Sequence, residues 1–341
     1  MLLRISDQQG PYNTLKWKIK MTEETTPVFD IEIQAPDISP YKQGNTGVDY
    51  ISTFDSGVDG PHVMISAVVH GNELCGAIAV DHLFKQNVRP LKGKLTLAFM
   101  NIAAFESFNP NDPTKSRFVD EDFNRVWTAE TLDGPRDSVE LRRARAVRPI
   151  VEQVDYLFDI HSMLTSKDPL MMAGPLSKGR DYARKIALPK YVISDAGHNN
   201  GTRMRDYGDF INPESSKNAL LIECGTHWEK SAADLAIKSV YQLLGEFGMI
   251  SDDFASRFGP TAADKEEQVF VEVSGPYTVQ TDDFKYVVPY FGMEVVEKAG
   301  TVYGHDGETP VATPYDNCVM VMPSFDIKKG QSSVRYGRIV T

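Results

Sequence analysis

The stretch VMISAVV (63–69) is a continuous apolar run rich in β-branched residues, the pattern of a strand buried on both faces. ELCGAIAVDHLFKQ (73–86) after it repeats its apolar positions at helical spacing. Strand, short turn and helix are therefore predicted in succession. The alternation recurs with LTLAFMNI (95–102) as a strand, SVELRRARAVRPIVEQV (138–154) as a helix, YLFDIH (156–161) and ALLIECG (219–225) as strands, and SAADLAIKSVYQLLGEFG (231–248) as a helix. Such a sequence predicts an α/β fold, a largely parallel or mixed sheet with helices on its faces.

The pattern differs at both ends. Residues from about 15 to 55 read as short strands broken by Pro and Gly, with VFDIEIQ (28–34) alternating apolar and polar, as in an antiparallel lead-in. From about residue 267 short strands follow one another every eight to twelve residues, with frequent Gly or Pro. The expected organisation is a catalytic domain over 1–259, including a β-rich lead-in over 1–60, and a small β-rich domain over 267–341. The boundary falls in SRFGPTAADKEEQ (256–268).

Composition narrows the class. Hydrophobic residues at 41% and charged ones at 24% fit a folded globular chain. The longest apolar runs fall well short of the ~20 residues that span a bilayer, so no membrane helix is expected. The N-terminal stretch has neither an apolar h-region nor a small-residue cleavage site and reads as mature protein. Three scattered cysteines, Cys75, Cys224 and Cys318, form no CxxC pair and suit a reducing cytoplasm. A formal net charge of −11 without a basic block argues against nucleic acid as a partner.

Between the strand 95–102 and the helix 138–154 lies NIAAFESFNPNDPTKSRFVDEDFNRVW (101–127), a long segment that reads as irregular; such loops inside a compact domain tend to be functional. Candidate chemistry sits at the strand ends. His70 closes one buried strand and Glu73 opens the next helix, at the carboxyl end of the sheet where open α/β sheets bind ligands. A His and a Glu there can share a metal ion. The strand YLFDIH ends in a second histidine, His161. Two histidines and one carboxylate form a set that leaves the fourth position of a catalytic zinc open. Asp159, two residues earlier, lies on the same face if the strand is regular, and can then orient a ligand. Glu223 ends the strand ALLIECG. It can act there as a base of metal-assisted hydrolysis, or merely cap a loop or pair with an arginine. Arg117 and Arg125 suit a carboxylate or an oxyanion, or pair with the adjacent Asp120, Glu121 and Asp122.

In this order HGNE (70–73), SRFVDEDFNR (116–125), DIHS (159–162) and IECG (222–225) resemble the succinylglutamate desuccinylase and aspartoacylase family, which is similar in fold to the zinc carboxypeptidases. The resemblance covers roughly residues 60 to 230. It implies one zinc ion per chain on His70, Glu73 and His161, with Glu223 activating the zinc water and then protonating the leaving amine. It further implies that Arg117 polarises the scissile carbonyl, that Asn124 and Arg125 hold a substrate carboxylate, and that Asp122 positions their loop.

One departure bears on substrate. Family members with an acidic substrate carry a further arginine shortly before the catalytic glutamate, whereas PESSKNALLI (213–222) has none. Either Arg203 or Arg205 reaches the site instead, or the substrate lacks a second carboxylate. His227 lines the pocket or is structural; Cys75 and Cys224 read as small buried hydrophobes. The β-rich tail resembles lipoyl-type hairpins but lacks an Asp-Lys pair at a tip, which points to packing or pocket capping. The expected activity is zinc-dependent hydrolysis of an N-acyl amino acid or related small N-acyl amine. A metallocarboxypeptidase acting on short peptides and a non-catalytic metal-binding or regulatory protein of the same fold are the alternatives. The expected partner is the small-molecule substrate, with no nucleic acid and no membrane; homo-oligomer formation stays open.

Overall fold

In the computed structural model, which describes residues 4–5, 29–164, 168–197, 201–325 and 327–340, the chain forms two compact units. The larger comprises Ala35–Glu272 and Ile339–Thr341. Its strands are β1 (Ile51–Asp55), β2 (His62–Ala67), β3 (Lys94–Phe99), β4 (Tyr156–Met163), β5 (Leu170–Met172), β6 (Tyr191–Ser194), β7 (Asn218–Thr226) and the start of β8 (Val269–Thr278), as far as Glu272. They lie in the order β8-β6-β5-β7-β4-β2-β3-β1. β3, β2, β4 and β7 run parallel, β1 is antiparallel at the edge beside β3, and β5 is antiparallel to β7. The sheet is therefore mixed, with its parallel centre made by the apolar runs that the sequence marks.

Helices α1 (Leu74–Lys85), α2 (Ile102–Glu106), α3 (Ala129–Asp133), α4 (Val139–Val151), α5 (Ser177–Ile186), α6 (Lys230–Glu246) and α7 (Asp252–Phe258) belong to the same unit. α4 starts where Ser138 Oγ accepts from the Leu141 N–H at 3.0 Å, an N-cap that satisfies one of the first-turn donors. Its buried face, Leu141, Ala144, Val147 and Val151, packs with Met64, Leu157 and Ala219 of the sheet and with Phe123, Val126 and Trp127 of the long loop. Burying these side chains stabilises the unit by roughly 1.5–3 kcal/mol for each large one and anchors the loop to the sheet. Among the described residues no helix is long and apolar enough to cross a membrane.

The smaller unit joins Val273–Arg338 with the described residues of Met1–Gln34. After β8 it contains β9 (Phe284–Tyr286), β10 (Glu294–Val296), β11 (Val302–Asp306), β12 (Thr309–Ala312), β13 (Cys318–Val321) and β14 (Ser332–Val340) as far as Arg338. β9, β11 and β12 form a three-stranded antiparallel sheet. β10, β13 and β14 pair antiparallel, with Arg4–Ile5 parallel beside β10. Tyr290, Val296, Tyr303, Val311, Cys318, Met320 and Val334 make its core.

Some expectations need revision. The described part of the alternating VFDIEIQ stretch forms no strand, although Ile33 is buried and Asp30 and Glu32 are exposed. Alternation reports one-sided burial and does not by itself require a strand. Residues 15–28 of the expected lead-in, and nearly all of the N-terminal stretch, lie outside the described residues. The long loop is not wholly irregular, since it holds α2 and the single turns Lys115–Arg117 and Phe123–Arg125. β5, β6 and α5 are additions between the predicted elements.

Candidate active site

β7, β4 and β2 are adjacent and parallel, so their carboxyl ends share one edge of the sheet. The chain leaves β2 through Val68, whose φ of 55° is costly for a β-branched residue and turns the backbone sharply. Gly71 follows in close contact with α2; a Cβ there would lie 2.2 Å from the Ala104 carbonyl carbon. That turn delivers His70 and Glu73 to the site. Glu73 is the N-cap of α1 but makes no side-chain capping bond. Its carboxylate faces the two histidines instead, Oε1 at 2.7 Å from His70 Nδ1 and Oε2 at 2.8 Å from His161 Nδ1.

The outer nitrogens of both rings also face carboxylates. His161 Nε2 lies 2.8 Å from Asp159 Oδ2, and His70 Nε2 lies 3.0 Å from Asp122 Oδ1. Each ring therefore has a carboxylate at both nitrogens, with Nδ1 turned to Glu73, and His70 Nε2 also lies 3.0 Å from Arg117 Nη2. Two imidazoles and a carboxylate brought this close suit a shared cation, either a proton or a metal ion. The three ligand atoms lie within 4.8 Å of one another and all three residues are buried. Burial opposes charge on His161, but Asp159 and Glu73 outweigh it and hold its pKa well above the ordinary value. Burial likewise opposes charge on Glu73, yet His70 and His161 keep its pKa well below. The donor chemistry, with a carboxylate behind each imidazole, fits a divalent metal held by two histidines and one glutamate.

Asp122 joins this centre to the loop. Its Oδ2 accepts from Arg117 Nη2 at 3.2 Å and its Oδ1 from the Asn124 N–H at 2.8 Å, with Arg125 Nη2 4.0 Å away. Burial works against its charge, but His70, Arg117 and Arg125 hold it ionised far below the usual carboxylate range. Arg117 Nη1 also stands 3.5 Å from Glu73 Oε1, and its side chain is 37% exposed, so the guanidinium lines the solvent side of the centre.

Glu223 is the register partner of His161 across β7 and β4. Its Oε2 is buried and has no hydrogen-bond partner among the described residues. Burial, with the charges of Glu73 and Asp159, outweighs the pull of His161 and Arg117 and raises its pKa to about 8. A carboxyl group poised there can exchange a proton near neutral pH.

His70, Glu73, Asp159, His161 and Glu223 are thus brought together, with Arg117 and Asp122 beside them. His227 is buried too. Its Nδ1 lies 2.7 Å from Ser162 Oγ, and burial lowers its pKa to about 4 while Glu73, Arg117, His70 and His161 all act on it. Arg203 and Arg205 are elsewhere engaged. Arg203 pairs with Asp195 and Asp206, and Arg205 with Asp206 and the carbonyls of Ala173 and Ala219, so neither guanidinium is available as a substrate ligand. Local sequence misses Glu140. This fully buried carboxylate accepts from the N–H groups of Val119, Asp120 and Glu121 at 2.7, 3.0 and 3.2 Å and folds the loop towards the site. It also misses Ser66, whose Oγ donates to Asp159 at 2.6 Å. A glutamate in the first turn of a helix reads as a dipole partner, and nothing local marks a partner twenty residues away.

A family model for the succinylglutamate desuccinylase/aspartoacylase catalytic domain matches residues 59–237, more than half of the chain. Comparison with curated proteins gives no match. Among solved structures, the chain is similar to succinylglutamate desuccinylase from Vibrio cholerae, with a TM-score of 0.63 at 15% identity, covering 86% of each chain. It is also similar to the product-bound ectoine utilization protein from Ruegeria pomeroyi, with a TM-score of 0.58 at 17% identity, covering 84% of this chain and 88% of that one. A third likeness is to succinylglutamate desuccinylase/aspartoacylase from Rhodobacter sphaeroides, with a TM-score of 0.59 at 16% identity, covering 83% and 87%. At these identities the structures speak for the fold. The chain belongs to the succinylglutamate desuccinylase/aspartoacylase family, a membership that supports a hydrolase of the deacylase type.

Proposed function

We propose that the protein is a zinc-dependent amidohydrolase that cleaves an N-acyl amino acid, or a related small N-acyl amine, to a carboxylic acid and an amine. The observation that carries this reading is the buried His70–Glu73–His161 set with the unbonded Oε2 of Glu223 beside it. His70, Glu73 and His161 would hold one zinc ion. When bound, zinc supplies a Lewis acid that polarises a carbonyl and acidifies water.

The chain's own groups do the rest. Glu223 takes a proton from the attacking water and gives it to the leaving nitrogen. Arg117, held by Asp122, donates to the oxygen on which negative charge develops. Asn124 and Arg125 hold the carboxylate of the amino acid. Arg203 and Arg205 are committed to Asp195 and Asp206, which favours an acyl group without a second carboxylate. A reducing compartment, the cytoplasm, suits the three buried thiols.

The test is amine release from acetyl, formyl and succinyl amino acids by the purified, zinc-loaded protein. Release from an acetyl or formyl member supports the reading and names the acyl group. Release only of C-terminal amino acids from unblocked peptides would replace it with a carboxypeptidase, and silence across both panels with zinc bound would end it.

A further inference from the structure

Asp195, Arg203, Arg205 and Asp206 form a balanced cluster of two cations and two anions, each buried in the larger unit. Arg203 donates to both oxygens of Asp195 at 2.7 and 3.1 Å, and through Nε to Asp206 at 2.5 Å. Arg205 donates to Asp206 and, at 2.9 Å, to the Ala219 carbonyl within β7. Buried ion pairs of this kind contribute little net stability against apolar replacements but fix geometry. The geometry fixed here belongs to residues 201–206.

That segment lies along the backbone around Asn124 and Arg125. The Met204 N–H, between the two arginines, donates to Asn124 Oδ1 at 2.8 Å. Thr202 pairs parallel with Val126, and its carbonyl accepts from the Trp127 N–H at 3.2 Å. Gly201, at φ 129°, approaches so closely that a Cβ would stand 2.3 Å from the Arg125 carbonyl oxygen. An N–H can only donate, so the amide atom of Asn124 that meets Met204 is the oxygen. Its NH₂ is the end left to donate to a carboxylate.

We infer that the Asp195–Arg203–Asp206 ion pairs are a positioning device that sets the Asn124 carboxamide, through Met204, in the orientation that binds a substrate carboxylate. The inference rests on the reading of Asn124 and Arg125 as the carboxylate clamp. Arg203 is a positioning residue in it and touches no substrate.

Arg203→Lys keeps the charge and loses the fork. With the zinc-loaded full chain and the substrate found above, KM should rise roughly ten- to a hundredfold while kcat and zinc content hold. Amide exchange over 122–127, measured without substrate, should accelerate while exchange in β4 and β7 does not. Unchanged KM and exchange would overturn the inference, as would a joint fall of kcat, zinc content and global protection, the mark of a merely structural role. Should Arg203→Lys not fold, Gly201→Ala leaves all four charges in place and presses a methyl on Arg125. It should show the same KM-selective loss, and an unchanged KM there would overturn the coupling. If the wild type turns over nothing, the functional reading fails while the exchange experiment still decides the positioning.

Discussion

Glu223 and His161 are register partners on adjacent parallel strands, so a carboxyl group and an imidazole emerge side by side at the same sheet edge. His161 is engaged on both nitrogens by carboxylates, whereas Glu223 keeps a buried oxygen without a hydrogen-bond partner among the described residues. In the mechanism we propose, the pairing separates two roles between neighbours, cation binding at His161 and proton transfer at Glu223.

Replacing Glu223 by glutamine keeps shape and burial and removes the proton acceptor. Zinc content should stay at the wild-type level while kcat falls by roughly 10² to 10⁴, the range for general acid–base catalysis. Metal analysis and amine release on the same preparation check it; full turnover would remove Glu223 from the mechanism.

The same pair predicts a pH dependence of stability in the metal-free protein. The folded pKa of Glu223, about 8, exceeds its ordinary value of 4.5. The folded state therefore binds the proton more tightly, and the stability this group contributes is complete below pH 4.5 and lost as pH rises through 8. Urea unfolding across this range should show the wild type losing stability relative to Glu223→Gln. A constant difference from pH 4 to 9 would contradict the burial argument.

Asp159 fixes which nitrogen of His161 faces Glu73. Asp159→Asn weakens that control, and zinc affinity should fall by roughly 10- to 100-fold, as for other groups behind metal ligands. A competition titration with a chromophoric chelator reads it directly.

Arg117→Ala should lower kcat by roughly 10²- to 10³-fold, the effect of removing one donor to a developing oxyanion, with zinc retained. A change confined to KM would assign Arg117 to ground-state binding instead.

Much of this arrangement is legible in the sequence, for a physical reason. Continuous apolar runs mark the central strands β2, β4 and β7, and residues at the ends of parallel neighbours converge, so His70, His161 and Glu223 meet although they are spread over 154 residues. What stays hidden depends on partners remote in sequence. β5 and β6 are runs of three and four residues, too short for a period to show. Arg203 and Arg205 look available in TRMRDYGDF until the fold supplies Asp195 and closes Asp206 on them. Glu140 looks like an ordinary helix-start acid, and only the returning loop gives its carboxylate three N–H donors.

The central claim is that one metal ion on His70, Glu73 and His161 supports amide hydrolysis. Its most direct test is to strip the protein with a chelator and restore zinc in measured increments while recording amine release from the substrate found in the panel. Activity should vanish on stripping and return in proportion to bound zinc up to one ion per chain. Undiminished release from the fully stripped protein, or zinc bound at one per chain without any return of activity, would contradict it.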